Sequence, residues 1–305
     1  MILTLLVAGC GEASPEIAQP SSAGPTIAQP TIVSLNPCTD AILAQVAGPQ
    51  QILALSQYSR DPRASSMDAA RARQFGVTGG TVEEVLALKP DLVVASTFMA
   101  PATRAGLEDL GIRVETFGIA SSVDESDAQI RRLAVLAGRP EVGVTLIEEI
   151  DAALAAATPP AGTEPIPAVL WQPSGIVPGE GALVSELLRR AGFSSHSAAI
   201  GMGQADYLSL EHVIASPPQL LLVAGQERAQ LHPALDALPD MRRAGFDPGL
   251  LYCGGPTIIK AMERLYYIRT SLLPREGGGP VLQGQTSPGW VPAFAGKRVG
   301  VGAER

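Results

Sequence analysis

The chain has 305 residues, room for two modest domains. Its 30 acidic against 22 basic side chains give a net charge of −8, with no basic cluster, which argues against nucleic acid as a partner. There are three cysteines and no C-x-x-C pair, which argues against a structural zinc site, and no apolar run reaches the ~18 residues of a transmembrane helix.

Met1–Gly9 is apolar and ends Leu6-Val7-Ala8-Gly9-Cys10. This resembles a bacterial lipobox, with Cys10 as the lipidated residue. The run is short and lacks a preceding Lys or Arg, so residues 1–10 are expected to be a truncated lipoprotein signal. Residues 11–30 repeat IAQP and are rich in Pro, Ser and Ala, the composition of a disordered, semi-extended tether. A single lipid chain anchors weakly and several anchor firmly.

A first lobe is expected over residues 31–122. Thr31–Leu35 reads as a strand, and Asn36 caps a helix with Pro37 at its first position and Asp40 as an acid in its first turn. Gln51–Leu55 reads as a second strand, followed by a polar loop holding Tyr58 and Arg60. TVEEVLALKPDLVVA (81–95) then reads as a capped helix, a proline stop and a buried strand. Another loop carries Phe98 and Met99, and Pro101–Leu110 and Arg113–Phe117 read as helix and strand.

Residues 123–160 read as a helical segment. Pro140 opens a helix to about Ala157, with Gly143, Leu146, Ile147, Ile150, Leu154 and Ala157 on one face. Its length, about 27 Å at 1.5 Å per residue, suits a strut between two lobes.

The second lobe is expected over residues 166–274. It begins with a strand at Ala168–Trp171 and a helix at Ala182–Arg190. SLEHVIASPPQLLLV (209–223) then repeats the 81–95 pattern at an offset of 128. Leu231–Leu238 reads as a helix, Leu250–Cys253 as a strand, and Thr257–Leu272 as the last helix. Residues 275–305 are rich in Gly and Pro, without periodicity, and read as a disordered tail. The fold class expected is α/β, two Rossmann-like lobes joined by one long α-helix, with a cleft between them.

TIVSLNPCTD (31–40), EEVLALKPDLV (83–93), SLEHVIA (209–215) and CGGP (253–256) resemble class III substrate-binding proteins of ABC importers, over about residues 31–274. The branch resembled is that of the vitamin B12 and iron-siderophore binders. The resemblance implies a ligand held between lobes that close only slightly, and one glutamate per lobe docking on the permease, here Glu83 and Glu211. It implies a small-molecule ligand, a cobalamin-like corrinoid or a ferric siderophore, and no catalysis or cofactor. The expected partners are the permease, the ligand and the membrane through Cys10, with the protein a monomer outside the cytoplasm.

Several residues carry competing readings. Glu83 and Glu211 would each favour a helix N-terminus without any partner, but Glu84 is free to complete a capping box with Thr81, which leaves Glu83 unemployed. Tyr58, Phe98, Met99, Trp171 and Tyr207 are candidates to pack on a large flat ligand, or else core residues. Arg60 could pair with an anionic group or be a solvated loop residue. For Cys38 and Cys253 three readings stand: small buried apolar residues, the commonest fate of free Cys; a disulfide locking the lobes; or thiolates touching a ligand. His196, His212 and His232 form no H-x-x-x-H pair, so no metal ligand set is expected. Two alternatives remain. One is a haem or metal binder of the same fold, with Tyr58, Met99 or Tyr207 as axial ligand. The other is a two-lobe α/β enzyme, although no Walker A, G-x-G-x-x-G or G-x-S-x-G motif is present.

Overall fold

A computed structural model describes residues 29–272. Cys10, the tether up to residue 28 and the tail from residue 273 lie outside the described residues. The first sheet has five parallel strands, β1 (Ile32–Ser34), β2 (Ile52–Ser56), β3 (Val77–Thr78), β4 (Leu92–Ser96) and β5 (Arg113–Phe117), in the order β3-β2-β1-β4-β5. Its helices are α1 (Pro37–Val46), α2 (Ala69–Ala72), α3 (Val82–Leu88) and α4 (Pro101–Asp109). The second sheet has β6 (Ile166–Trp171), β7 (Phe193–Ser195), β8 (Leu220–Val223) and β9 (Arg242–Gly245), all parallel, in the order β7-β6-β8-β9. Its helices are α7 (Leu183–Arg190), α8 (His196–Ala199) and α9 (Leu210–Ala215). Helices α5 (Val123–Leu136) and α6 (Pro140–Ala157) lie between the sheets in sequence, and α10 (Thr257–Leu272) follows β9.

Setting aside the two-residue edge strand β3, the sheets share one strand order: second, first, third, fourth. The duplicated stretch supplies the third strand of each, β4 beside β1 and β8 beside β6. Both copies start alike. The Thr81 hydroxyl accepts from Glu84 N at 3.2 Å, and the Ser209 hydroxyl accepts from His212 N at 3.3 Å. Each satisfies an amide that the first helical turn leaves without a backbone partner. The sequence similarity thus reflects two lobes of one design.

Alternation along the central strands sorts their side chains into separate cores. Leu92 and Val94 of β4, with Leu220 and Leu222 of β8, join one large cluster that also takes in α1, α5, α6, α7 and α10. Val93 and Ala95 face away, into a core beneath α3 and α4 with Val85 and Leu107. Leu221 faces away in the second lobe, with Val169, Trp171 and Val213. The shared helical layer is therefore continuous with both sheets. In α6 the buried residues are Gly143, Leu146, Ile147, Ile150, Leu154 and Ala157, the face read from the sequence. A Cβ on Gly143 would stand 2.6 Å from the Ala134 Cβ of α5, so the absence of a side chain lets α5 and α6 approach closely.

One expected strand is corrected. Leu250–Cys253 is not a strand: Asp247 caps a 3-10 turn at Pro248–Leu250, and Leu250 and Leu251 are buried in the shared core. The fourth strand is instead Arg242–Gly245, an edge strand whose two arginines are exposed and which has no apolar run to announce it. The helix expected at Leu231–Leu238 is a 3-10 turn over Pro233–Ala237.

Candidate functional site

All strands in each sheet are parallel, so the loops that follow them gather at one edge, where α/β sheets place their ligands. Cys38, in the first turn of α1 just past β1, is disulfide-bonded to Cys253, in the loop between β9 and α10, with Cα atoms 5.1 Å apart. Of the three readings of these cysteines, the structure takes the disulfide. It ties the C-terminal edge of the first sheet to the segment that follows the last strand of the second. Further contacts support the same junction. The Ser66 and Thr257 hydroxyls meet, Lys260 Nζ donates to Ser66 O at 2.6 Å, and Gly255 N donates to the Ser126 hydroxyl at 2.8 Å. A Cβ on Gly249 would lie 2.9 Å from Ser65 O, so the loop after Tyr58 packs directly on the turn before Tyr252.

Four aromatic side chains are exposed in this region's loops: Tyr58 (56%), Phe98 (76%), Tyr207 (66%) and Tyr252 (57%). Local chemistry aims each of them. The Ser56 hydroxyl accepts from Tyr58 N at 3.3 Å and the Ser96 hydroxyl from Phe98 N at 3.1 Å. The same serine turn therefore ends β2 and β4 and presents an aromatic two residues on. Tyr207 lies against Gly175, where a Cβ would stand 2.6 Å from the ring, and Gly175 holds φ at 75°. Only glycine meets both demands without strain. The Tyr252 hydroxyl donates to Gln172 Oε1 at 3.0 Å, directly after β6, and partial burial raises its phenol above the usual tyrosine range.

Trp171, expected to face the cleft, is corrected. It is 1% exposed, packed in the outer core of the second lobe, and its indole Nε1 donates to Leu208 O at 2.9 Å. As the last residue of β6 it points to the sheet face opposite the shared layer, which position along the chain does not reveal. Met99 is half-buried and packs against the outer core of the first lobe. Arg60 is exposed but donates from Nη2 to Phe75 O at 2.8 Å, fastening the β2 loop to the residues before β3.

Beneath Tyr58 sits a residue that sequence reasoning passed over as an ordinary first-turn acid. Asp40 is fully buried. Its Oδ2 accepts from Ser56 N at 2.9 Å and from the Ser59 hydroxyl at 2.5 Å, while Oδ1 has no partner. Burial pushes its carboxyl up to about 8, against the opposing pull of the Ser34 and Ser59 hydroxyls and the Ser56 amide. Tyr252 was also missed, because the false strand at 250–253 hid it; its neighbour Cys253 was the available signal.

Glu83 and Glu211 are both exposed on the first turns of α3 and α9. Glu84 turns back to accept from the Thr78 hydroxyl at 2.8 Å and Gly79 N at 2.7 Å, so it, and not Glu83, ties the helix start to the turn that precedes the cap. The Glu211 carboxyl is held below the usual range by its own backbone amide and the Ser209 hydroxyl. The histidines serve local structure: His196 Nε2 contacts Ser216 O, His212 Nδ1 the Ser209 hydroxyl, and His232 Nδ1 accepts from Ala234 N. Among the described residues no group of three or more His, Cys, Asp or Glu is arranged to hold a metal ion.

Solved structures of the same fold include the periplasmic heme-binding protein RhuT from Roseiflexus sp. RS-1 in apo form. It is 22% identical, with a TM-score of 0.63 over 79% of this chain and 97% of that one. The periplasmic vitamin B12 binding protein BtuF of Vibrio cholerae is 20% identical, with a TM-score of 0.61 over 80% and 99%. The periplasmic heme binding protein HutB of Vibrio cholerae is 18% identical, with a TM-score of 0.64 over 79% and 99%. No curated protein matches the chain. The sequence profile described as periplasmic binding protein matches residues 32–242. That span runs from the first strand of one lobe to the last strand of the other, and the chain belongs to the periplasmic binding protein family.

Proposed function

We propose that the protein is the extracytoplasmic binding component of an ABC importer, held at a membrane through a lipidated Cys10, and that it carries a large ring-shaped ligand between its lobes. The observation that carries this reading is the set of four exposed aromatic side chains, Tyr58, Phe98, Tyr207 and Tyr252, in loops flanking the disulfide-tied junction of the lobes. Exposed aromatics grouped this way signify a binding surface. Ring faces of this kind suit a cobalamin-like corrinoid or a ferric siderophore. Delivery runs to the permease, with Glu83 and Glu211 as the docking charges, one on each lobe. No bond is made or broken: the protein works as a monomer that binds, docks and releases.

Haem is the second reading. Three of the exposed rings are phenols, and a tyrosinate can ligate ferric iron. Two of the similar structures are of heme-binding proteins. The deciding experiment is thermal-shift and native mass spectrometry of the full chain against cobalamin, cobinamide, haemin and ferric siderophores. Saturable stabilisation by one of them names the ligand class. No stabilisation by any of them refutes the proposal.

A further inference from the structure

The first turn of α1 carries two unusual attachments, two residues apart. Cys38 is bonded to Cys253, whose chain neighbour is the exposed Tyr252. Asp40 is bonded to Ser56 N and the Ser59 hydroxyl, which bracket the exposed Tyr58. The helix start is itself fixed, because Asn36 Oδ1 accepts from Cys38 N at 3.0 Å and Pro37 occupies the first turn. The segments bearing the two tyrosines also touch, at Ser65 and Gly249. One rigid turn therefore controls both rings, one from the first lobe and one from the segment that follows the last strand of the second.

We infer that Cys38 and Asp40 are positioning residues that together set the gap between Tyr58 and Tyr252, and so the thickness of ligand that the site accepts. This inference rests on the ligand reading above. Neither residue need touch the ligand. A hydroxyl or amide donor held by a buried carboxyl cannot drift without leaving that carboxyl unpaired, which is costly. A disulfide restrains its two backbones to within a few ångströms. The two tethers constrain different rings, so their loss has separable effects. A free pair of loops would adapt to ligands of many shapes at an entropic cost, whereas a preset gap discriminates.

The test uses the full chain, oxidised and reduced, with Asp40→Ala and Asp40→Asn variants, haemin and hydroxocobalamin as probes, and hydrogen exchange as a readout without ligand. Asp40→Asn keeps a side-chain oxygen for Ser56 N and Ser59 and should retain wild-type exchange and affinity. Asp40→Ala should speed exchange over residues 56–60 while leaving 250–256 unchanged; reduction should do the reverse. Whichever probe binds the wild type should lose at least about tenfold in affinity with either tether released, measured below the melting temperature of each form. Loosened loops with unchanged affinity would overturn the inference, as would exchange that stays at wild-type rates. If neither probe binds the wild type, the ring-ligand reading fails with haemin and hydroxocobalamin, and the positioning role is decided by the exchange rates alone.

Discussion

Tyr252 and Gln172 join the two ends of the second lobe's functional edge: the phenol donates to the amide oxygen at 3.0 Å, although the residues are 80 apart in sequence. The bond holds an exposed ring in one orientation. Removing that ring should therefore harm binding far more than folding. Tyr252→Ala and Tyr58→Ala should each weaken ligand binding by more than about tenfold while changing stability by no more than about 0.5–1 kcal/mol. Trp171→Ala should do the opposite, costing about 3–5 kcal/mol of stability because its indole fills the outer core. Titration calorimetry beside urea unfolding separates the two, and equal loss of stability in all three variants would place the tyrosines in the core.

The glutamates at the start of α3 and α9 are both exposed, at the same place in each copy of the duplicated unit. Reversing both, Glu83→Arg with Glu211→Arg, should abolish uptake in a transport assay and leave ligand affinity within about twofold. About twofold is a change of only about 0.4 kcal/mol. Wild-type uptake by the double variant would remove the docking role.

Asp40 makes a pH prediction of unusual sign for an aspartate. Its folded carboxyl titrates at about 8, against about 3.9 in the unfolded chain. Between those values the native state holds a proton that the unfolded state has lost. Its contribution to stability is thus complete below pH about 4 and is lost progressively as pH rises to about 8. Asp40→Asn cannot titrate there, so its stability relative to wild type should grow with pH across that window, by at most about 1.4 kcal/mol per pH unit. Urea midpoints from pH 5 to 8 test this; parallel curves for the two proteins would contradict it.

The Cys38–Cys253 bridge closes a loop of 215 residues. In the chain-entropy description, a loop of that length is worth up to about 5 kcal/mol. Reductant should therefore lower the thermal midpoint substantially, and thiol titration of the denatured, unreduced protein should detect neither cysteine. Two reactive thiols at these positions would show the bridge to be absent.

Much of this architecture is visible in the chain before it folds. The 81–95 and 209–223 stretches carry their cap, proline and apolar run on the surface of the sequence, and they fold as the third strand of each sheet. The helical period of 140–157 gave α6 and its buried face. What escaped was decided by tertiary neighbours. Arg242–Gly245 becomes a strand only because β8 offers it a free edge, whereas Leu250 and Leu251 look like strand but are drawn into the shared core. Trp171 ends β6 on the face that packs into the outer core, whereas Tyr252 lies in the loop before α10 with its ring exposed, and neither outcome is written in the local sequence. Asp40 reads as a routine helix-start acid, since its burial comes from the β2 loop folding over it.

Because one apolar layer runs from the first sheet through α5, α6 and α10 into the second, neither half possesses a complete interior of its own. The halves cannot be cut apart and used as modules. Severing the chain between α6 and β6 would leave each fragment with a raw oily face, and intact protein should melt in a single calorimetric step. Swinging one half away would tear that layer open, which opposes any wide hinge motion. Under the function proposed above, the ligand would enter and leave without the two halves parting.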